Sequence, residues 1–269
     1  MNDNVSNFEK YKFYVMVRVL AGSRAYGLHT ETSDWDWRGF YAAPTVDTLG
    51  INDLPEQIEV PRADEVYWDV KKFCKLLLAN NPNVLEVLYS LKNAEYLPFI
   101  STENSERENI LSQINVAERV AELYANRHRI ISKRCISTFG GYATSQLERG
   151  LTGLGYASHS MDLKQVVPLH QRDPQTISGG WKHLSHLIRL LISSISILET
   201  GELHLVLEGK ERDIVLAIKN KAMPIEDVLA WHRTFEMRFQ KLKTNNNLRE
   251  EPDTEWVDHW LKDFRLAMI

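Results

Sequence analysis

A strand-like run ending at a glycine-serine pair, with two aspartates one residue apart shortly beyond it, constrains this chain more than any other feature. Phe13-Tyr14-Val15-Met16-Val17-Arg18-Val19-Leu20 is rich in β-branched and aromatic residues and runs into Gly22-Ser23, which reads as a strand closing on a turn. A glycine there lets backbone N–H groups converge on an anion, and the Ser23 hydroxyl adds a donor, a combination suited to phosphate. The segment from Ser23 to Asp34 is long enough for a turn of helix and a return strand. Asp34 and Asp36 stand two apart on that strand, predicted to run through Trp35–Tyr41 until Pro44 closes it, so both carboxylates are expected on one face. Adjacent carboxylates repel, and a divalent cation held between them resolves the repulsion. Oxygen ligands point to Mg²⁺ or Mn²⁺ rather than zinc. A phosphate cradle beside a carboxylate metal site is the equipment of phosphoryl or nucleotidyl transfer.

Further along, Glu65–Asp69 predicts a third strand, and Val70, Phe73, Leu76 and Leu77 keep helical spacing after it. Asn81-Pro82 reads as a cap with a first-turn proline, opening a helix through Val84, Leu85, Val87 and Leu88. From about Ser105 the strand signal fades. Ile110, Leu111, Ile114, Val120, Ala121 and Tyr124 hold helical register, and a long helix is expected over the basic stretch that follows, up to Gly150. Residues 166–180 read as a loop. Leu184, Leu187, Ile188, Leu191, Ile192 and Ile195 then form one apolar stripe, with Lys182, His186 and Arg189 on the opposite face. Ile225–Leu242 is expected as a last amphipathic helix before a charged, tryptophan-bearing tail. The predicted fold is α+β: a small mixed sheet with helices over residues 1–104, then an α-helical domain over 105–269.

Composition excludes several classes. The chain has 269 residues, 43% of them hydrophobic and 25% charged, which is globular and fits one large domain or two modest ones. Its longest apolar runs fall far short of the ~20 residues that cross a bilayer, and Met1-Asn2-Asp3-Asn4 is no signal peptide. Cys74 and Cys135 are its only cysteines, too few for a disulfide framework or a structural zinc site. A soluble, cytoplasmic protein is expected, with no membrane partner. The net charge of -4 rules out a wholly basic surface for nucleic acid. Yet no acid lies between Glu122 and Glu148, where Arg127, His128, Arg129, Lys133 and Arg134 cluster, nor between Pro174 and Leu198. The first cluster can grip a nucleic-acid backbone or simply face water.

Gly22-Ser23-Arg24-Ala25-Tyr26-Gly27 with Ser33-Asp34-Trp35-Asp36-Trp37-Arg38-Gly39 resembles the polymerase-β-like nucleotidyltransferase superfamily, and within it the RNA-repair-associated branch found beside RNA ligases and in phages. Lys72-Phe73 through Asn81-Pro82-Asn83-Val84-Leu85-Glu86, and Lys182-His183-Leu184-Ser185-His186-Leu187-Ile188-Arg189, agree with that branch, so the resemblance spans most of residues 13–205. It implies a nucleotidyltransferase sheet followed by a helical domain. It further implies transfer of a nucleoside monophosphate from a nucleoside triphosphate to an acceptor, an RNA (tRNA-like) 3′ end. Gly22 and Ser23, with Arg24 beside them, would hold the triphosphate, and Asp34 and Asp36 would bridge two Mg²⁺ ions. A third carboxylate is implied on a later strand. Asp69 is preferred, Asp64 and Glu65 remain open, Asp69 could equally cap the helix that follows, and Glu86 is an alternative polar contact. Lys182, His186 and Arg189 would neutralise triphosphate charge or meet the acceptor; a solvated helix face is the plainer reading, and His183 falls off that face. The same chemistry on a protein hydroxyl or a small molecule, or a nucleotide- or RNA-binding module without turnover, remains the alternative, although a binding module has no need of paired carboxylates. The sequence leaves the oligomeric state open.

Overall fold

The apolar run after Lys12 becomes strand β1 (Val15–Leu20), entered through a 3-10 turn at Lys12–Tyr14 that takes the first residues of the predicted strand. The computed structural model describes residues 3–31, 33–51, 53–60, 63–96, 115–157 and 172–268. β2 (Trp37–Tyr41) runs antiparallel to β1. β3 (Gln57–Glu59), β4 (Glu65–Asp69) and β5 (Glu95–Tyr96) complete a five-stranded sheet of order β3-β4-β2-β1-β5. It is a mixed sheet, because β2 and β4 pair in parallel while the other pairs are antiparallel.

Around this sheet lie α1 (Asp3–Tyr11), the single turn α2 (Gly22–Ala25), α3 (Thr45–Thr48), α4 (Val70–Leu78), α5 (Pro82–Ser90) and α6 (Val116–Ala125). Alternation along β2 sends neighbouring rings to opposite faces. Phe40 meets Phe73 of α4 at 5.0 Å between ring centroids, while Tyr41 packs with Tyr11, Val15, Ile58 and Tyr67. The Asn81 side chain accepts the N–H groups of Asn83 and Val84, and Pro82 opens α5, as its sequence signature predicts.

Two compact units divide the chain, residues 1–132 with 251–269 and residues 133–250. The division expected after residue 104 does not coincide with them. The tryptophan-bearing tail explains why: it is a helix, labelled α11 below (Thr254–Leu266), whose Trp260 and Phe264 stand 6.4 and 5.9 Å from Phe40. Trp260 and Phe264 are almost fully buried there, and burying a large aromatic stabilises by roughly 2–3 kcal/mol. The C-terminal segment therefore belongs to the sheet unit. The predicted helical register of Ile110, Leu111 and Ile114 lies outside the described residues.

In the second unit the helices are α7 (Arg134–Gly153), α8 (Pro174–Thr200), α9 (Gly209–Lys219) and α10 (Ile225–Lys243), so the described part of this unit is helical as expected. The whole predicted stripe from Leu184 to Ile195 is buried. A Cβ on Gly153 would stand 2.7 Å from Gly180 Cα, so these glycines let α7 and α8 approach backbone to backbone. α8 begins well before the stripe. Asp173 accepts the Thr176 N–H at 2.9 Å and Pro174 fills the first turn, a cap signal within the segment read as loop. Upstream, the long helix expected over the basic stretch is interrupted, since Arg127–Arg129 form a 3-10 turn and α7 starts only at Arg134.

Candidate active site

β1 and β2 deliver the two halves of the motif to one point. Their register ends at Leu20 opposite Trp37, and the ladder continues one step further as Ala21 N–H donates to the Asp36 carbonyl at 2.9 Å. Gly22 follows with φ +58°, in the left-handed region that a side chain rarely tolerates. A Cβ at Gly22 would lie 2.0 Å from Asp36 Oδ2 and 3.0 Å from its Cγ. The glycine thus serves two needs, the turn itself and room for the Asp36 carboxylate directly above it.

The Gly22 N–H, expected to face phosphate, donates instead to Glu86 Oε1 at 2.6 Å. Glu86 is buried in the middle of α5, at 5% exposure. Glu86 and Asp36 therefore meet the same glycine from different elements. The sequence offers Glu86 only as an alternative contact, and its place as the one acid between the apolar Val84-Leu85 and Val87-Leu88 is the signal that marks it. Ser23 is part-buried, and its carbonyl accepts the Leu28 N–H at 2.8 Å, closing the loop behind the turn.

Asp34 and Asp36 precede β2 rather than ride on it, since the strand starts at Trp37. Asp34 is exposed and Asp36 part-buried. Arg24 fixes the segment that carries them: its Nε donates to the Asp34 carbonyl at 3.1 Å, its Nη2 to the Ser33 carbonyl at 2.9 Å, and its guanidinium lies 3.7 Å from the Trp35 ring centroid. Arg24 was expected at the triphosphate; its donors here hold the aspartate loop.

The structure gives Asp69 a different task from the predicted third carboxylate. β2 and β4 pair Trp37 with Glu65 and Tyr41 with Asp69, so Asp69 lies four residues, about 13 Å, further along the sheet than the end bearing Asp36. Its Oδ1 caps α4 through the Lys71 and Lys72 N–H groups, and its Oδ2 takes an ion pair from Arg265 Nη2 at 2.6 Å. Both side chains are mostly buried. The alternatives are also engaged: Asp64 pairs with Arg38 at 2.6 Å, and Glu65 accepts the Tyr67 hydroxyl at 2.7 Å.

Among the described residues no group of three His, Cys, Asp or Glu side chains is arranged to hold a metal. The donor set nevertheless suits Mg²⁺, which is commonly held by one or two carboxylates, with substrate phosphates and waters completing its shell. Asp36, seated on a glycine at the motif's turn, and Asp34 two residues away are the side chains that would take that part.

In the second unit, Lys182 is exposed and Arg189 part-buried on α8. His186 between them is part-buried, and desolvation pushes its imidazole down to about 2, with Arg189, His183 and Lys182 adding repulsion. It is neutral near pH 7 and contributes no positive charge to a basic face. His183, expected off that face, bonds through Nδ1 to Gln146 at 2.7 Å, and burial beside Arg149 lowers its pKa as well.

The basic cluster is divided between the units, whose boundary falls at Ser132. In the first, Arg127 lies over the Tyr124 ring at 4.5 Å and Arg129 pairs with Asp253 at 3.1 Å. His128 is exposed. In the second, Lys133 pairs with Glu250, and Arg134 is exposed.

Comparison with known proteins settles the lineage. The family described as "RNA repair pathway DNA polymerase beta family" matches residues 1–263. The chain belongs to that family. Membership supports a nucleotidyltransferase role in RNA repair and agrees with the α+β fold, sheet first and helices after it. The chain is also 28% identical over 137 residues to "Uncharacterized protein YcgL" of Bacillus subtilis (strain 168), a match covering 47% of this chain and 53% of that protein. It thus spans about half the length of this curated relative. No solved structure matches the chain. Among the described residues no helix is long and apolar enough to cross a membrane.

Proposed function

We propose that this chain is a metal-dependent nucleotidyltransferase that moves a nucleoside monophosphate from a nucleoside triphosphate to an RNA 3′ end. The observation that carries the reading is the Asp36 carboxylate resting on Gly22 beside Ser23, in a chain matched by a polymerase β family over residues 1–263. RNA as the acceptor follows from the repair pathway in the family's description, and the cytoplasm is the compartment that fits it.

In this reaction the acceptor hydroxyl attacks the α-phosphorus, a new P–O bond forms, and the α–β bond breaks to release pyrophosphate. The hydroxyl proton leaves to a carboxylate or to water. Ser23 donates to the triphosphate, and Asp34 and Asp36 present two fixed negative charges at the reacting end. Bound Mg²⁺ or Mn²⁺ would neutralise phosphate charge and lower the pKa of the attacking hydroxyl. Arg24 and Glu86 do not touch the reacting atoms in this scheme; they hold the aspartate loop and the glycine turn. Lys182 and Arg189 remain candidate phosphate contacts of the helical unit.

Labelled triphosphates incubated with Mg²⁺ or Mn²⁺ and separate RNA, DNA, protein and small-molecule acceptors test the reading. Labelling of RNA by the wild-type chain and not by Asp36→Asn supports it. Label on a protein hydroxyl or a small molecule instead replaces the acceptor, and no label anywhere leaves a binding module.

A further inference from the structure

Trp35 is the residue between the two aspartates, and 56% of it is exposed. A single exposed apolar side chain is ordinary; this one is set apart by its place between the two carboxylates and by the groups around its ring. Here it has close neighbours of one kind. The Arg24 guanidinium lies 3.7 Å from its ring centroid, the Trp37 ring lies nearly parallel to it, and the Arg18 guanidinium lies over Trp37 at 4.1 Å. Arg18 is held in turn by Glu95 at 2.9 Å.

The two indoles are nearly parallel, 17° apart, with centroids separated by 6.3 Å. Rings in contact stack at about 3.5 Å. A 6.3 Å separation therefore means either a lateral offset of about 5 Å or an open gap between the planes. In both cases the two rings do not cover one another fully. A half-exposed indole beside a parallel second one and two guanidiniums is matched by a flat aromatic group that carries negative charge nearby, which is the chemistry of an unpaired nucleobase on its phosphate backbone.

We infer that Trp35, backed by Trp37 and flanked by Arg24 and Arg18, stacks the unpaired terminal base of a single-stranded RNA acceptor. The inference deepens the nucleotidyltransferase reading and rests on it for the identity of the strand. Position favours the strand end over the incoming nucleotide. An indole exposed to this extent lets a strand enter and continue into solvent, while a triphosphate would be held at Gly22-Ser23 without it. Trp35 is also bonded in sequence to both Asp34 and Asp36, so a base stacked on it brings its sugar to the carboxylates. Stacking tolerates any base, so this contact does not demand a fixed sequence at the strand end.

The test is binding of a short single-stranded RNA to the full chain in EDTA, read by tryptophan fluorescence and anisotropy, where carboxylate–metal geometry plays no part. Trp35→Ala and Trp35→Leu should weaken RNA by roughly ten- to hundredfold, the worth of one stacked base. Trp35→Phe should restore most of the affinity, and Trp35→Leu controls for apolar bulk if Trp35→Ala fails to fold. Triphosphate affinity, titrated separately in Mg²⁺, should not move. RNA affinity indifferent to Trp35→Leu, or Trp35→Phe as weak as Trp35→Leu, overturns the inference. An equal loss on the triphosphate titration also overturns it, by assigning the ring to the nucleotide's base. The two readings fail separately: a chain that binds RNA through Trp35 yet transfers no nucleotide keeps this inference and loses the reading above. Normal transfer with RNA affinity blind to Trp35 does the reverse.

Discussion

The Glu86 carboxylate accepts the Gly22 N–H at 2.6 Å, joining the middle of α5 to the turn on which Asp36 rests. Burying an acid is costly, and turning its carboxylate to a backbone donor repays that cost where the donor's position matters. Here the donor is the glycine that sets where Asp36 can stand.

Glu86 therefore distinguishes positioning from metal ligation. Glu86→Gln keeps an acceptor oxygen for Gly22 and should retain most transfer activity. Glu86→Ala leaves the N–H unpaired beside a cavity, costs about 1–3 kcal/mol of stability, and should lose most activity even in the folded fraction. Urea unfolding and a transfer assay on the same preparations measure both. A glutamine variant as inactive as the alanine one would make Glu86 a ligand or base instead.

Gly22→Ala should be among the most damaging single-methyl changes in the chain. The methyl would lie 2.0 Å from Asp36 Oδ2, and φ is +58°, so both the backbone and the carboxylate must shift. An alanine at positive φ alone costs about 1 kcal/mol or more. Transfer should fall by at least a hundredfold, with only a modest drop in urea midpoint. Activity near wild type would show that Asp36 need not sit where the structure has it.

Asp69→Asn and Arg265→Ala separate scaffold from catalysis at the other end of the sheet. Removing one partner of a buried ion pair strands the other, and losses of about 3–5 kcal/mol are typical. Arg265→Ala, which leaves Asp69 charged, should be the worse of the two. The fraction that remains folded should transfer normally in both. If Asp69→Asn folded well and was inactive, the predicted third-carboxylate role would return.

How much of this was legible in the sequence differs by element. β4 and the Asn81-Pro82 cap were readable because each follows from local chemistry, a short run of the β-favouring Val66, Tyr67 and Trp68 in one and a side-chain acceptor with a first-turn proline in the other. The association of Gly22 with Asp36 was implicit in the motif spacing. Asp69 could not be assigned from sequence, since capping and ligation use the same carboxylate and only the β2–β4 register decides which end of the sheet it occupies. The partner Arg265 is far away in sequence, on a tail helix whose Trp260 and Phe264 pack against Phe40. Arg24 is a related case: its charge suggests phosphate, while its Nε and Nη2 are engaged by the carbonyls of Asp34 and Ser33, which only the fold brings to it.

Acid should destabilise the helical unit through its buried histidines. In the unfolded chain His186 titrates near 6.5, whereas burial in the second unit, helped by Arg189, His183 and Lys182, holds it down to about 2. Below pH 6.5 the unfolded state takes up a proton that the folded state refuses. The stabilisation is therefore complete above about pH 6.5 and is lost as pH falls, at about 1.4 kcal/mol per unit, or roughly 2 kcal/mol by pH 5. His183 and His232 are shifted in the same direction and add to the slope. His186→Gln removes one such group, so its urea midpoint, followed by circular dichroism from pH 7.5 to 5.0, should fall less steeply than that of the wild-type chain. Parallel curves would mean that the imidazole takes its proton without unfolding, and would return His186 to the basic face of α8 as a charge available to phosphate.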